Sequence, residues 1–387
     1  MVRARTTPGP GRPRLVEDGA AVEVVLDGAA RRFHAIWLRD NAPEPGTRHP
    51  DNGQKLITVL DLPPQTRIAE AQWAKGRLRV RFTPEDLTAD FDPDWLAAHA
   101  YDALGPAPPG WTPPHITLWD AAIAEALPVL DFETVRAEEP ARLKWLGLIR
   151  RFGFARLRNG PTTDGAALDI ARLAGFVRET NYGRAFDVRT EARPANLAFT
   201  ALGLPPHTDN PYRDPPPGLQ VLACLRSAVE GGESILVDGF AAARRLAWED
   251  PEAFRLLARY PARFEYAGEA GVRLQAKGPM IGLGVDGELT ALRVNARSAA
   301  ALTDVPYEEM AGFYRAWRSL AEMFERHDLR LRFSLAPGEA MVFDNLRVLH
   351  AREAFTSSGA RWLQGCYVDR DGLYSTLAAA ETEGRMR

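Results

Sequence analysis

Five prolines fall within residues 104–114, and this stretch constrains the fold more than any other part of the chain. Proline has no amide donor and its ring clashes with the preceding helical turn, so the stretch cannot continue a helix or cross the centre of a sheet. A chain of 387 residues also suits two domains better than one. We therefore expect a disordered tail over 1–13, a small N-terminal β domain over 14–103, a Pro-rich linker over 104–120 and a larger domain over 121–387.

Short β-rich runs separated by turn residues dominate both expected domains. Examples are Arg32–Leu38 and Leu56–Leu60 in the first domain and Leu197–Leu202 in the second. The second domain also carries amphipathic patterns that predict helices, namely Glu138–Arg151, Asp164–Thr180, Ala241–Arg259 with a break at Pro251, and Glu308–Arg326. Many short strands with a few flanking helices predict a mainly β fold, a β-sandwich or jelly roll.

Composition excludes several classes of protein. The net charge of -3 gives no electrostatic reason to expect nucleic acid or an anionic membrane as a partner. The two cysteines, Cys224 and Cys366, are too few for a disulfide framework or a Cys-rich zinc site, and a reduced, cytoplasmic compartment fits them. The sequence has no apolar run of membrane-spanning length, and its basic N-terminus is not followed by the apolar segment of a signal peptide.

The strongest chemical signal is the triplet His207-Thr208-Asp209. In an extended segment, residues two apart point to the same side, so an imidazole and a carboxylate converge. His350 is the candidate for a third ligand, and two His with one carboxylate form a facial triad that suits Fe(II). Such a triplet alone often arises by chance, but Arg361 follows His350 by eleven residues in a strand-like run. Its fork matches the distal carboxylate of a dicarboxylate cosubstrate.

Together these residues identify a resemblance to the γ-butyrobetaine dioxygenase and trimethyllysine dioxygenase family, within the TauD/TfdA-like oxygenases. The resemblance extends over nearly the whole chain. It is carried by Ile36–Asn41, Thr180–Gly183, His207–Pro211, Pro216–Gln220, Gly231–Ser234, Val237–Phe240, Phe343–Asn345, His350 and Arg361. It implies a double-stranded β-helix, a distorted jelly roll, preceded by a small β domain. It also implies a dioxygenase that uses Fe(II), 2-oxoglutarate and O₂, with ascorbate as reductant.

The resemblance assigns roles to individual residues of the catalytic centre. His207, Asp209 and His350 look like the iron ligands, and Arg361 looks like the clamp for the distal carboxylate of 2-oxoglutarate. Leu222 matches the position that packs against this cosubstrate. The chemistry implied is the hydroxylation of an unactivated C–H bond.

An aromatic cage for a trimethylammonium group is the next feature that the resemblance implies. A quaternary ammonium has no hydrogen-bond donors, so proteins hold it with aromatic faces and a nearby carboxylate. The positions that match the cage are Tyr182, Phe186, Phe199 and Tyr367, and Asp187 could supply the carboxylate.

The other end of the substrate is expected to be anionic. Asn196 matches a position that binds a substrate carboxylate. Asn295 and Arg297 lie in the segment that supplies the second polar contact, and as alternate residues of an extended strand they would share a face. Because Arg recognises a phosphonate well, two substrates remain open: γ-butyrobetaine, which would give carnitine, and 2-(trimethylamino)ethylphosphonate.

The sequence leaves further hypotheses open. The substrate could be trimethyllysine or another TauD/TfdA-type molecule such as a sulfonate or an aryloxy acid, or the chain could be a non-catalytic cupin-like binding protein on the same fold. One departure from the family is plain, since Ala42–His49 lacks the Cys cluster with which several members bind structural zinc. We therefore expect no structural zinc here. The resemblance further implies a homodimer.

Overall fold

The computed structural model describes residues 11–102, 105, 107–189, 202–228, 231–355 and 361–385. The chain divides into two compact units, Met1–Pro106 and Ala107–Arg387. The division falls inside the Pro-rich stretch. Residues 107–120 belong to the second unit, where the Trp119 side chain is buried and Arg347 donates to the Thr117 carbonyl.

The first unit consists of two small antiparallel sheets and two short helices. One sheet has the order β1-β2-β3 and the other β4-β5-β6. The bounds are β1 Arg14–Val16, β2 Ala21–Leu26, β3 Ala29–His34, α1 Ala35–Asp40, β4 Arg67–Ala74, β5 Arg77–Thr83, β6 Thr88–Phe91 and α2 Pro93–Ala98. Alternate residues of the strands meet the buried face of α1 in one apolar core, with Phe33, Leu38 and Phe82 fully buried.

Two expected strands of the first unit are wrong. The run Arg32–Leu38 changes from strand to helix at Ala35, because α1 buries Ala35, Leu38 and Arg39 at helical spacing. Leu56–Leu60 is not a strand, and Leu56, Val59 and Leu60 are exposed, with Leu60 at 91 %. Apolar residues that face solvent can imitate the sequence pattern of a buried strand.

The second unit contains the remaining strands. Their bounds are β7 Val129–Asp131, β8 Phe154–Arg158, β9 Val177–Arg178, β10 Phe186–Arg189, β11 Leu204–His207, β12 Leu219–Ser227, β13 Ser234–Asp238, β14 Pro261–Glu269, β15 Val272–Pro279, β16 Ile281–Leu283, β17 Leu289–Leu292, β18 Arg330–Phe333, β19 Ala340–Asp344, β20 Val348–Arg352 and β21 Arg361–Val368. A seven-stranded sheet has the order β10-β21-β12-β19-β8-β7, with β9 also paired to β21. A four-stranded sheet has the order β11-β20-β13-β18, and β14-β15 and β16-β17 form separate pairs.

Helices flank these sheets. Their bounds are α3 Phe132–Ala137, α4 Glu139–Phe152, α5 Ala166–Ala174, α6 Gly239–Glu249, α7 Pro251–Arg259, α8 Tyr307–Glu325 and α9 Arg370–Thr382. The predicted break at Pro251 is confirmed, and Asp250 caps the new helix by accepting from the Ala253 amide. The predicted helix Asp164–Thr180 is too long, because Gly175 ends α5 and the chain continues into β9. The run Leu197–Leu202 lies, except for Leu202, outside the described residues.

Alternation along β12 shows how the sheet positions the site. Leu219, Val221 and Ala223 pack against helices on one face of the seven-stranded sheet. Leu222 and Cys224 point to the other face, into a core shared with residues of the four-stranded sheet such as Leu236. The predicted jelly-roll class is confirmed, and side chains on the inward faces of both sheets are available to build a site. Among the described helices, none is at once long and apolar enough to cross a membrane.

Candidate active site

The predicted metal triad comes together at two neighbouring strands and the segment that follows one of them. β11 and β20 are antiparallel, and His207 lies opposite His350, with ring centroids 4.2 Å apart. Asp209 follows two residues after His207, and its carboxylate lies 3.4 Å from Nε2 of His207 and 3.9 Å from Nε2 of His350. One ligand atom from each of the three lies within 4.8 Å of the others. Pairing of the two strands thus brings together residues far apart in the sequence.

Hydrogen bonds to the backbone hold the segment that carries Asp209. The buried side chain of Asn345 accepts from the Asp209 amide at 2.6 Å and donates to the Asp209 carbonyl at 3.0 Å. Thr208 and Val294 exchange hydrogen bonds through the Thr208 amide and hydroxyl. Asn210 then adopts a left-handed φ of 53°, which Asn tolerates better than most residues. Asn345 belongs to a motif that carries the family resemblance, but no local pattern indicates its contact with Asp209.

The electrostatics of the triad suit a divalent cation. Nδ1 of His207 donates to the Pro205 carbonyl at 2.9 Å, which fixes the imidazole so that Nε2 faces Asp209. Burial and the neighbouring His207 lower the pKa of His350 to about 3, so this imidazole stays neutral. Burial alone would raise the pKa of Asp209, but the hydrogen bond with His207 and the charge of Arg297 hold it well below its usual range. Two imidazoles and a carboxylate are the donor set that Fe(II) prefers in a facial triad.

A cavity opens beside the triad, and two other groups of side chains line it. One group is aromatic and consists of Tyr182, Phe186 and Tyr367, and the other is basic and consists of Arg297, Arg352 and Arg361. Leu222, predicted to contact the cosubstrate, lines the same cavity. Among the described lining residues, Asp209 is the one carboxylate.

Three of the four predicted cage residues meet in this cavity. The ring of Phe186 lies 5.2 Å from that of Tyr367 and 6.4 Å from that of Tyr182. The Tyr367 hydroxyl donates to Oδ2 of Asp209 at 3.0 Å, which joins the cage to the triad. The Tyr182 hydroxyl contacts that of Tyr212 at 2.9 Å. Phe199 lies outside the described residues.

Asp187 does not face the cage, contrary to expectation. Successive residues of β10 point to opposite sides, so Phe186 and Val188 line the cavity while Asp187 points away. The Asp187 carboxylate instead accepts from Nε1 of Trp362 at 2.7 Å and pairs with Arg189 at 2.9 Å.

Gly365 is a site residue that sequence reasoning missed. It lies opposite Phe186 on β10 and Leu222 on β12. A Cβ atom placed on Gly365 would lie 2.5 Å from two ring carbons of Phe186 and 3.0 Å from a methyl group of Leu222. The absence of a side chain at Gly365 therefore lets the Phe186 ring approach the backbone of β21 closely and leaves room in the cavity. No motif contains this glycine, and only the register of the strands reveals it.

The segment around Asn295 corrects a further prediction. The expected strand through Asn295 and Arg297 is wrong, because β17 ends at Leu292 and residues 296–298 form a 3₁₀ turn. The buried Asn295 side chain donates to the Thr208 carbonyl at 3.1 Å and accepts from the Arg297 amide at 3.1 Å. The Asn295 side chain thus stabilises the segment that carries Thr208 and Asp209. Of Asn295 and Arg297, Arg297 alone lines the cavity. Asn196 lies outside the described residues.

The basic side contains one residue beyond those predicted. Arg361 lines the cavity as expected, and burial lowers its pKa. Arg352 lines it as well, since it follows His350 by two residues and so shares its face of β20. Burial, with the charges of Arg361 and Arg297, lowers the pKa of Arg352 to about 10. The spacing His350-Ala351-Arg352 was the signal that could have found it.

Comparison with known proteins agrees with this fold and site. Residues 115–367 match the profile of the taurine catabolism dioxygenase TauD, TfdA family. The chain belongs to this family, and the predicted enzyme class, an Fe(II)- and 2-oxoglutarate-dependent dioxygenase, is confirmed.

Individual relatives are more specific. The chain is 37 % identical to a γ-butyrobetaine dioxygenase of Pseudomonas sp. (strain AK-1) over 91 % of each chain. It is 32 % identical to the mitochondrial trimethyllysine dioxygenase of Rattus norvegicus, over 92 % of this chain and 84 % of the relative. It is 28 % identical to the γ-butyrobetaine dioxygenase of Homo sapiens, over 93 % of this chain and 94 % of the relative.

Proposed function

We propose that this dioxygenase hydroxylates a small substrate with a trimethylammonium group at one end and an anion at the other, with γ-butyrobetaine as the first candidate. The observation that carries the proposal is the single cavity that joins the His207, Asp209 and His350 triad to the rings of Tyr182, Phe186 and Tyr367. The relative named for γ-butyrobetaine, similar over almost the whole of both chains, supports the same substrate.

His207, Asp209 and His350 would hold the iron. Bound Fe(II) supplies the oxidation of a C–H bond with O₂, coupled to decarboxylation of 2-oxoglutarate. The chain keeps the His350 imidazole neutral and the Asp209 carboxylate ionised, so that both can act as ligands. Asn345 and Thr208 fix the backbone that carries Asp209.

The cosubstrate would lie between the triad and the basic side of the cavity. The Arg361 guanidinium would pair with its distal carboxylate, because a buried, planar fork suits a carboxylate in two parallel hydrogen bonds. Leu222, on the inward face of β12, would pack against its carbon chain. These contacts would orient the cosubstrate and exclude water from the metal.

The aromatic rings would select the cation. A trimethylammonium group placed against Tyr182, Phe186 and Tyr367 meets ring faces, and each such contact is worth about 0.5–2 kcal/mol depending on desolvation. Phe199 would add a fourth ring. The Tyr367 hydroxyl donates a hydrogen bond to Asp209, so this ring lies beside the triad. A cation bound to the ring would therefore be held next to the triad.

The anion of the substrate would face Arg297, with Asn196 as a second contact. Asn295 would act indirectly, because its side chain holds the turn that carries Arg297. Arg297 also favours a second candidate, 2-(trimethylamino)ethylphosphonate, since a guanidinium pairs well with a phosphonate.

A substrate panel tests the proposal. The protein is incubated with Fe(II), ascorbate, 2-oxoglutarate and O₂, together with γ-butyrobetaine, the phosphonate or trimethyllysine, and products are measured by mass spectrometry. A gain of one oxygen on γ-butyrobetaine or on the phosphonate, absent in His207→Ala, is the expected result. Hydroxylation of trimethyllysine alone, or of none of the three, would contradict the proposal.

Arg297→Asn tests the contact on which the phosphonate candidate rests. If the substrate is the phosphonate, loss of this guanidinium should lower kcat/KM by roughly 10- to 100-fold, the usual effect of losing a charged hydrogen bond. The matched control is Arg332→Asn, at an exposed ion pair with Glu353 on β18. An Arg297→Asn variant that processes the phosphonate as well as the wild type would remove the reason for this candidate.

A further inference from the structure

The three rings assigned to the cage are held in place by different means. Phe186 lies on β10 and Tyr367 on β21, so strand pairing fixes the backbone of both. Tyr182 belongs to neither β9 nor β10 but to the turn between them, in which Thr180 and Gly183 exchange backbone hydrogen bonds. The position of the Tyr182 ring therefore depends on the contacts that its side chain makes outside the turn.

Tyr212 makes such a contact. Its side chain is 6 % exposed, and it does not appear among the described residues that line the cavity, so it would act on a ligand through its neighbours. Its hydroxyl lies 2.9 Å from the Tyr182 hydroxyl and 2.5 Å from Oδ1 of Asn210. Asn210 follows the triad residue Asp209 directly in the chain. Hydroxyl groups thus connect a ring of the cage to the segment that carries a metal ligand.

The lengths of these contacts fix the direction of the hydrogen bonds. A separation of 2.5 Å is within the range of O–H···O bonds and too short for N–H···O, so the Tyr212 hydroxyl donates to the side-chain oxygen of Asn210. A phenol has one proton to donate, and the Tyr182 hydroxyl must therefore donate to Tyr212. Donation polarises the hydroxyl and leaves more negative charge on its own ring, which attracts a cation more strongly.

Packing around Tyr212 supports the same arrangement. The Tyr266 ring of β14 stacks on the Tyr212 ring with centroids 5.2 Å apart, and it meets the Tyr182 ring edge to face at 5.8 Å. Arg213, the next residue in the chain, donates to the side chain of Asn181, which precedes Tyr182. Two consecutive residues thus hold two consecutive residues of the turn, and this leaves the Tyr182 ring little freedom to move.

We infer that Tyr212 is a positioning residue for the cationic end of the substrate. Its hydroxyl holds the Tyr182 ring in a fixed place relative to the triad segment and makes the face of that ring more attractive to a trimethylammonium group. The inference rests on the proposed function, in which Tyr182 is part of the cage. It gives a residue outside the cavity wall a share in the selection for positive charge.

The test compares two ligands of the same shape, γ-butyrobetaine and its neutral analogue with a tert-butyl group in place of the trimethylammonium group. Binding to the anaerobic protein loaded with Fe(II) and 2-oxoglutarate is measured by isothermal titration calorimetry for γ-butyrobetaine and by competition for the analogue. Tyr212→Phe removes the hydroxyl and keeps the ring. It should weaken γ-butyrobetaine binding by roughly 3- to 10-fold and change binding of the neutral analogue by less than about 2-fold.

A double-mutant cycle shows whether Tyr212 acts through Tyr182. Tyr182→Phe removes the donor of the same hydrogen bond and should weaken γ-butyrobetaine binding by about 2- to 5-fold. In the Tyr182→Phe background, Tyr212→Phe should change the affinity by less than about 2-fold further, because the bond is already lost. Independent effects of the two changes would mean that Tyr212 serves the fold, as would equal weakening of both ligands by Tyr212→Phe, and either result would overturn the inference.

The controls separate this inference from the cage on which it rests. Tyr182→Leu, which removes the ring, should weaken γ-butyrobetaine binding more than either Phe variant. If it does so while Tyr212→Phe leaves both affinities unchanged, the inference alone is overturned. If Tyr182→Leu leaves γ-butyrobetaine binding unchanged, or the wild type does not bind this ligand, the proposed cage is wrong and the inference is overturned with it. Tyr314→Phe, at an exposed hydroxyl on α8, is the matched control and should change neither affinity.

Discussion

The cavity has a metal side, formed by the triad, and a side that we propose as the substrate side, formed by Tyr182, Phe186 and Tyr367, and the two are built in different ways. On the metal side, Asn345 and Thr208 fix the backbone around Asp209 with short hydrogen bonds. On the substrate side, Phe186 is held by ring packing and by the space above Gly365. Hydrogen bonds specify a single arrangement, whereas shape can change by small steps. We propose that this difference lets one family keep its chemistry while its members, as their names indicate, act on different substrates.

The largest expected effect is at the metal side. Asp209→Ala removes the anionic ligand and should lower succinate formation and product formation together, by roughly a thousandfold or more. Iron content after dialysis checks that the loss follows the metal. An Asp209→Ala protein that retains iron and turnover would break the assignment of the triad.

The next effect sharpens the claim that hydrogen bonds fix the metal side. Asn345→Ala should weaken Fe(II) binding by roughly 10- to 100-fold, as expected for a residue that orients a ligand without touching the metal. The KM for the trimethylammonium substrate should change less. The measurement is a titration with Fe(II) under anaerobic conditions, with the exposed Asn159→Ala as a matched control. Unaltered iron affinity in Asn345→Ala would refute the role given to these bonds.

A third prediction addresses shape on the substrate side. Gly365→Ala should displace the Phe186 ring and raise the KM for the substrate by roughly 10-fold, in line with the 1–3 kcal/mol that overpacking typically costs. Iron affinity should stay within about 2-fold, because the triad lies on other strands. In the double variant Gly365→Ala/Phe186→Ala the clash is removed. Its KM should therefore be lower than the value expected from combining the separate effects of Phe186→Ala and Gly365→Ala on the KM. Additive effects of the two changes would contradict the steric account.

The smallest expected effect concerns a hydroxyl at the edge of the cage. Tyr182→Phe loses the contact with Tyr212 but keeps the ring face that would meet the cation. The KM should therefore rise by only about 2- to 5-fold, the effect of one neutral hydrogen bond. Tyr182→Leu, which also removes the ring, is the comparison to measure, and it should cost clearly more. If both variants behave alike, the ring is not part of a cage.

The sequence predicted the metal side well and the substrate side in part. His207, Asp209 and His350 form a pattern whose chemistry is independent of the surrounding shape, and the structure brings them together. Leu222, Arg361 and three cage rings also line the cavity as predicted, although their contacts with ligands stay predictions. The jelly-roll class followed from the many short strands and from the resemblance.

The features that could not be predicted from the sequence depend on strand register and on the direction in which side chains point. Gly365 contributes to the site because it lies opposite Phe186. A local sequence pattern does not predict which residues of distant strands lie opposite each other. The predictions for Asp187 and Asn295 were wrong because they rested on position in the sequence alone. In the structure the Asp187 carboxylate contacts Trp362 and Arg189, and the Asn295 amide contacts the backbone of Thr208. Arg352 could have been predicted, since it follows His350 by two residues and so shares its face of the strand.

One measurement tests most directly whether the triad and the cage serve a single reaction. Wild-type protein is supplied with γ-butyrobetaine, and succinate and hydroxylated product are quantified in the same samples. We predict one hydroxylated product for each succinate, with a fall in that ratio in Phe186→Ala, where the substrate is no longer held against the triad. Succinate formed without hydroxylated product in the wild type would show that the cavity does not position this substrate, and would contradict γ-butyrobetaine as the first candidate.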